Sequence, residues 1–312
     1  MLHWVKIKIL KRRVKLSLVP LRRILKEAEK GNYAVGYFES WDYGSLDATI
    51  RAAEEVNFPV IVGFGARTFV NEDGWDDRKL TSFAKMGREM AERSSVPVSF
   101  ILNESSNLSM LKRGMEVGFN CVMFDGSDLP IEENIELTKK VVEEAKKWKV
   151  DVEAQLGKIP SSGEKLKSFY LTSPQEAKLF VEKTGIVALA ISVGNIHMSM
   201  NKQTLIDLTR LEKIRNLASV PLVMHGGTGF PDELVPEVVK RGVYKFNLGS
   251  ILKKAFLKEL KLSLLKEDLE KDDLASIHDL IDSRGERGIF ERAYFAVREI
   301  IKEKIKLYGM IH

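Results

Sequence analysis

The chain has 312 residues, 44% of them hydrophobic and 30% charged, with a formal net charge of +5 and a single cysteine. That length holds either two ordinary domains or one α/β barrel, and no run approaches the ~18 apolar residues of a membrane span. Six of the 49 Lys and Arg fall in residues 1–15 with no acid among them, which leaves 43 basic against 44 acidic residues in the body. A neutral body offers no basic surface and argues against a nucleic-acid partner.

The basic head, "MLHWVKIKILKRRVK" (1–15), has neither the apolar stretch of about 7–15 residues nor the small-residue cleavage site of a signal peptide. It reads as a loose extension over 1–17, or a start placed too far upstream, ahead of a single domain over 18–312. Beyond it, short β-rich runs recur in chain order: "YAVGYF" (33–38), "PVIVGF" (59–64), "PVSFIL" (97–102), "NCVMF" (120–124), "VDVEAQ" (150–155), "IVALAIS" (186–192), "PLVM" (221–224) and "VYKFN" (243–247). Each is nearly continuous rather than alternating, as in a parallel strand covered on both faces. Between them lie helical patterns. "SLDATIRAAEEV" starts at Ser45, "SPQEAKLFVEKTG" opens with Ser173 and Pro174 and closes on Gly185, and "PDELVPEVVKRG" closes on Gly242. Ser or Pro at the start and Gly at the end is the usual helix asymmetry. Eight strand–helix alternations predict a (β/α)8 barrel. A doubly wound sheet is the alternative, because periodicity does not show closure. After residue 250 the pattern is helical to the end. Cys121, inside "NCVMF", staples nothing, which fits a reducing, cytoplasmic compartment.

In a barrel the chemistry sits at the C-terminal strand ends. Those ends carry Glu39, Gly65, Asn103 with Glu104, Asp125, Gln155, His197, His225 and Asn247. Of five histidines, His3 and His312 stand in the tails and His278 in a charged helical context. His197, His225 and a carboxylate have the composition of a His2Glu metal site with an open position. Two hydrogen-bonded histidines without a metal would read the same way. The turn "HGGTG" (225–229) lets backbone N–H groups approach an anion, and "NLGS" (247–250) adds the Ser250 hydroxyl at a helix start. Neither turn carries an acid of its own. Barrels often bind phosphate at strands seven and eight, although a bare tight turn has the same sequence.

Three segments carry a resemblance: "NYAVGYFES", "GFNCVMFDGSDLPIEENIELTKKVVEEAKKWKVDVEAQLG" and "PLVMHGGTGFPDELVPEVVKRGVYKFNLGS". They resemble the class II, zinc-dependent fructose/tagatose-bisphosphate aldolases, in matching order from about Leu18 to Gly309. The resemblance implies a (β/α)8 barrel that splits ketose bisphosphates reversibly. It also implies a divalent metal, normally Zn2+, held by three histidines, and dimers or tetramers built through C-terminal helices. Two of the metal histidines match His197 and His225. The phosphate turn matches Gly226, Gly227 and Thr228, the strand-eight segment matches Asn247 and Ser250, and the Asp of the family's DGS segment matches Asp125.

The departures are local. Where the family reads His-x-Asp-His, this chain reads Ile101-Leu102-Asn103-Glu104. The catalytic acid has become an amide, which relays no proton, and the third metal ligand has become a carboxylate. Gln155 replaces a second carboxylate, Met198 a glycine, and Glu39 an asparagine. Glu104 still completes an ordinary zinc environment. The proton carrier then has to be Glu39 or Asp125. Two functions follow: a metal-dependent lyase acting on a phosphorylated ketose or related sugar with altered acid/base groups, or an inactive sugar-phosphate-binding or regulatory protein on the same scaffold.

Overall fold

The eight apolar runs form eight strands, within three residues of the expected bounds: β1 (Val35–Ser40), β2 (Val60–Gly65), β3 (Val98–Ser105), β4 (Cys121–Phe124), β5 (Asp151–Leu156), β6 (Ala188–Ile191), β7 (Leu222–Met224) and β8 (Val243–Leu248). In this computed structural model, residues 17–161, 163–164, 167–197, 206–267, 274–282 and 288–311 are described. Each strand pairs in parallel with its sequence neighbours and β8 returns to β1, so the barrel is closed. An open doubly wound sheet is thereby excluded. Closure leaves no strand edge to protect, and helices outside with side chains inside explain why the strand sequences do not alternate.

Helix α1 (Leu21–Gly31) lies at the N-terminal end of the barrel and buries Leu21, Ile24, Leu25 and Ala28. Its Arg22 backbone N–H and Nε donate to the Asp151 carboxylate at 2.7 and 2.5 Å, at the first residue of β5. The crossover helices are α2 (Tyr43–Glu55), α3 (Asp77–Arg93), α4 (Leu108–Val117), α5 (Ile131–Trp148), α6 (Pro174–Thr184), α7 (Leu208–Leu217) and the short α8 (Val235–Val239). α2 starts two residues before the expected Ser45, because Asp42 is its cap. Asp42 Oδ1 accepts from the Ser45 N–H at 2.8 Å, and Ser45 Oγ accepts from the Asp42 N–H at 3.0 Å. Such a reciprocal box stabilises a helix start by about 1 kcal/mol. α6 follows expectation: Ser173 caps it and Gly185 ends it in the left-handed region.

Three helices follow β8: α9 (Ser250–Leu264), α10 (Leu274–Asp282) and α11 (Ile289–Gly309). α11 buries Ala293, Val297, Ile301, Ile305 and Tyr308, one stripe at helical spacing. The Tyr308 ring stacks on Phe246 of β8 with centroids 4.5 Å apart, which ties the C-terminus to the barrel wall. Of the extension expected over 1–17, only Ser17 is among the described residues, and its carbonyl accepts from the Val98 N–H at 2.7 Å. Cys121 is buried and His278 exposed, as expected.

Candidate metal centre and substrate pocket

β3 does not stop before Asn103 and Glu104 but continues through them to Ser105. Its pairing with β4 slips there: Leu102 faces Val122, whereas Ser105 faces Phe124. The extra residue makes a bulge, and Glu104 takes a φ of +55°. A non-glycine residue in that region costs on the order of 1 kcal/mol, and bulges of this kind re-aim side chains beside active sites. Here the bulge delivers the Glu104 carboxylate to the barrel mouth, while Asn103 is buried with its Oδ1 unpartnered.

Ligand atoms of Glu104, His197 and His225 all lie within 4.8 Å of one another, the single such group found among the described residues. His225 Nδ1 is 2.9 Å from Glu104 Oε1, yet this buried nitrogen makes no aligned hydrogen bond. The two rings meet edge to face, with centroids 5.6 Å apart. A buried ring nitrogen without a hydrogen bond, a second imidazole and a carboxylate around one point fit a divalent cation with an open position. Burial favours the neutral form of Glu104, but His225, His197 and Lys245 outweigh it and pull its pKa down to about 2. Burial also works against charge on His225, but the Glu104 and Glu153 carboxylates reverse that and raise its pKa. His197 is lowered by burial and by its neighbour His225. The carboxylate is therefore ionised and His197 biased toward the neutral form that ligation needs, whereas His225 has to give up the proton that its carboxylate neighbours favour.

Beneath the triad lies a charged layer that strand-end reading missed. Lys245 and Glu153, both fully buried, pair at 2.9 Å inside the barrel. Lys245 also donates to Asn247 Oδ1 at 2.7 Å, and Asn247 Nδ2 sits 2.9 Å from His225 Nε2. Glu153 Oε1 lies 3.5 Å from that same ring nitrogen. The His225 ring is thus gripped from behind, an arrangement that orients metal-binding imidazoles. From the loop after β6, Asn195 Nδ2 donates to the His225 carbonyl at 3.1 Å. Asn134 of the "EENI" segment donates to the Gln155 carbonyl at 3.1 Å. The available signal was a lysine in the apolar run "VYKFN" and a glutamate in "VDVEAQ".

A cavity of about 680 Å³ opens above, lined by Glu39, Asn103, Glu104, Asp125, His197, Gly226, Thr228, Asn247 and Ser250. His225, Gly227 and Gln155 are buried and do not contribute to this lining. Asp125 Oδ1 accepts from the Ser127 N–H at 3.0 Å, and Gln155 Nε2 donates to the Gly157 carbonyl at 3.3 Å. Gly226 has a φ of +76°, and a β-carbon there would meet the Ile196 carbonyl oxygen at 2.2 Å. The turns after β7 and β8 adjoin, the Ile251 N–H reaching Thr228 Oγ1 at 3.4 Å. Neither turn has its own acid, but β1 brings one: Glu39 stands against Gly249 and pairs with Lys253 at 2.8 Å. Met198 lies outside the described residues.

A closed barrel with two imidazoles and a carboxylate at the ends of β3, β6 and β7, beside glycine turns on β7 and β8, has the layout of a metal-dependent aldolase. The family model for fructose-bisphosphate aldolase class-II matches residues 19–312, and the chain belongs to that family. The fructose-bisphosphate aldolase of Geobacillus stearothermophilus is 33% identical over 258 residues, covering 81% of this chain and 88% of that protein. The crystal structure of the YdjI aldolase from Escherichia coli K12 is similar at 28% identity with a TM-score of 0.77, over 94% of this chain and 97% of that one. The fructose-bisphosphate aldolase of Campylobacter jejuni, at 20% identity, 94% and 96% coverage and a TM-score of 0.78, shares the fold.

Proposed function

We propose that this chain is a carbon–carbon lyase of the class II aldolase type, acting on a phosphorylated ketose or related sugar derivative. Glu104, His197 and His225 hold its divalent cation, for which Zn2+ is the first choice. The observation that carries this reading is the convergence of the three ligand side chains within 4.8 Å, with Glu104 and His197 lining the same cavity as the β7 and β8 turns. When bound, such a cation polarises the substrate carbonyl and stabilises negative charge developing beside it. The N–H groups of Gly226, Gly227 and Thr228 and the hydroxyls of Thr228 and Ser250 hold the phosphate. Asn247 completes that wall.

Aldol cleavage takes a proton from the hydroxyl of the departing carbon and returns one to the carbanion left on the other fragment. Asn103 has no proton to trade at neutral pH, so the transfer falls to another carboxylate of the cavity. Besides Glu104 the cavity lining contains Glu39 and Asp125. Glu39 is the choice, because it stands at the end of β1 where the resemblance puts a neutral Asn. Metal-dependent cleavage of a panel of phosphorylated ketoses, measured in the parent, Glu39→Gln and Asn103→Asp proteins, tests this. Glu39→Gln is expected to lose ~10²-fold or more, as removal of a general acid or base does. Equal rates in parent and Glu39→Gln refute the role. Cleavage by Asn103→Asp alone makes the parent a sugar-phosphate-binding protein that has lost its acid. A cytoplasmic setting accords with one buried thiol and with no helix, among the described residues, long and apolar enough to cross a membrane.

A further inference from the structure

The carboxylate chosen for proton transfer is already engaged. Glu39 Oε2 lies 2.8 Å from Lys253 Nζ, one turn into α9, and both side chains keep access to solvent (23% and 44%). The seat of this carboxylate is shaped for it by two glycines. A β-carbon on Gly249 would come within 2.1 Å of Oε2, and one on Gly65 within 2.9 Å of Oε1. The ends of β2 and β8 thus leave a slot that the β1 carboxylate fills. Ser250 follows Gly249 directly, and Ile251 joins this corner to Thr228. A carboxylate, paired with a lysine, occupies the doorstep of the turns that would receive the substrate's anion.

We infer that Lys253 is a ligand of the substrate's phosphate and that phosphate and Glu39 exchange at it. Without ligand, Glu39 holds the ammonium. A phosphate arriving at the β7 and β8 turns takes Lys253 and frees the Glu39 carboxylate into the cavity. The inference rests on the lyase reading and adds to it a specificity-determining cation and a base released by the substrate's own charge. The physical basis is competition for one ammonium. A phosphate brings more charge and more acceptor oxygens than a carboxylate, the two anions repel at short range, and a solvent-exposed ion pair is weakly held to begin with. Arg67, the other cation lining the cavity, lies on the short 3-10 helix after β2 and serves as the control.

Inorganic phosphate titrated calorimetrically into the full-length, metal-reconstituted chain tests the exchange. Lys253→Met is expected to weaken phosphate about 10-fold or more, while Lys253→Arg stays within about threefold of the parent. Glu39→Gln, which frees the lysine, is expected to tighten phosphate roughly 5-fold, a gain absent when Lys253→Met is added. Arg67→Met is expected to bind as the parent does. Phosphate bound no more tightly by Glu39→Gln, no loss in Lys253→Met, or a loss that follows Arg67 instead would each overturn the exchange. If the pattern holds but no ketose phosphate is cleaved by the parent, the lyase reading fails and the exchange stands. If cleavage is found without the pattern, the exchange alone fails.

Discussion

Glu104 stands where the family resemblance places a histidine, and its surroundings keep a carboxylate ionised there. Two imidazoles and a buried lysine hold its pKa near 2, so the candidate ligand is ionised across the working pH range. Substituting a direct ligand should weaken metal binding by more than the ~10–100-fold lost with an outer partner. Elemental analysis after reconstitution is therefore expected to show metal in the parent and none in His225→Ala or Glu104→Gln. A metal-free parent, or His225→Ala retaining parental metal content, would sink the assignment. The candidate ligand residues were legible because His and Glu at strand ends are chemically conspicuous. The buried layer under them was not, since nothing in "VYKFN" or "VDVEAQ" shows that Lys245 and Glu153 point at one another. Removing one partner of such a pair leaves an uncompensated buried charge, at a cost of about 3–5 kcal/mol. Lys245→Met should lose that much in urea unfolding, and adding Glu153→Leu should recover most of it. A double variant no more stable than the single one would show that the pair is not the reason the charges are tolerated.

Elements were easier to read than their ends. Eight runs of apolar residues gave eight strands because parallel strands buried on both faces are predominantly apolar. Closure depends on pairing between β1 and β8, which periodicity does not record. β3 outran its expected end because Asn103 and Glu104 sit in a bulge, where polar side chains look like loop. The start of α2 was misplaced because Asp42, rather than Ser45, carries the cap. The glycine turn after β7 was legible as an anion turn, but its constraint is steric as well. At Gly226 a side chain would need a left-handed backbone and would press on the Ile196 carbonyl. Gly226→Ala is expected to destabilise the fold by roughly 1–3 kcal/mol and to abolish phosphate binding while the far-UV spectrum stays parental. Parental stability together with parental phosphate affinity would mean that the turn adapts and that its glycine is incidental.

At the scale of the molecule, the barrel strands bury every residue but Glu39 and Glu104, whereas the three helices after the barrel leave large apolar side chains in solvent. Leu257 of α9 is 62% exposed, Ile281 of α10 51% and Phe295 of α11 50%. Single exposed apolar side chains are ordinary, and it is a contiguous patch of them that marks a contact surface. Covering a Leu, Ile or Phe side chain contributes about 1.5–3 kcal/mol, so a handful of them can sustain an association. The family resemblance places subunit contacts on C-terminal helices, and we propose that α9 to α11 form that interface here, giving a dimer or tetramer. Sedimentation equilibrium at micromolar concentration is expected to show an oligomer for the parent and a monomer for the Leu257→Glu, Phe295→Glu double variant. Neither side chain is buried in the core, so the variant should keep its helical signal and its metal. A parent that is monomeric across the accessible concentration range would refute the interface. A double variant that stays oligomeric would move the contact off these helices, most directly to the crossover helices on the barrel's outer face.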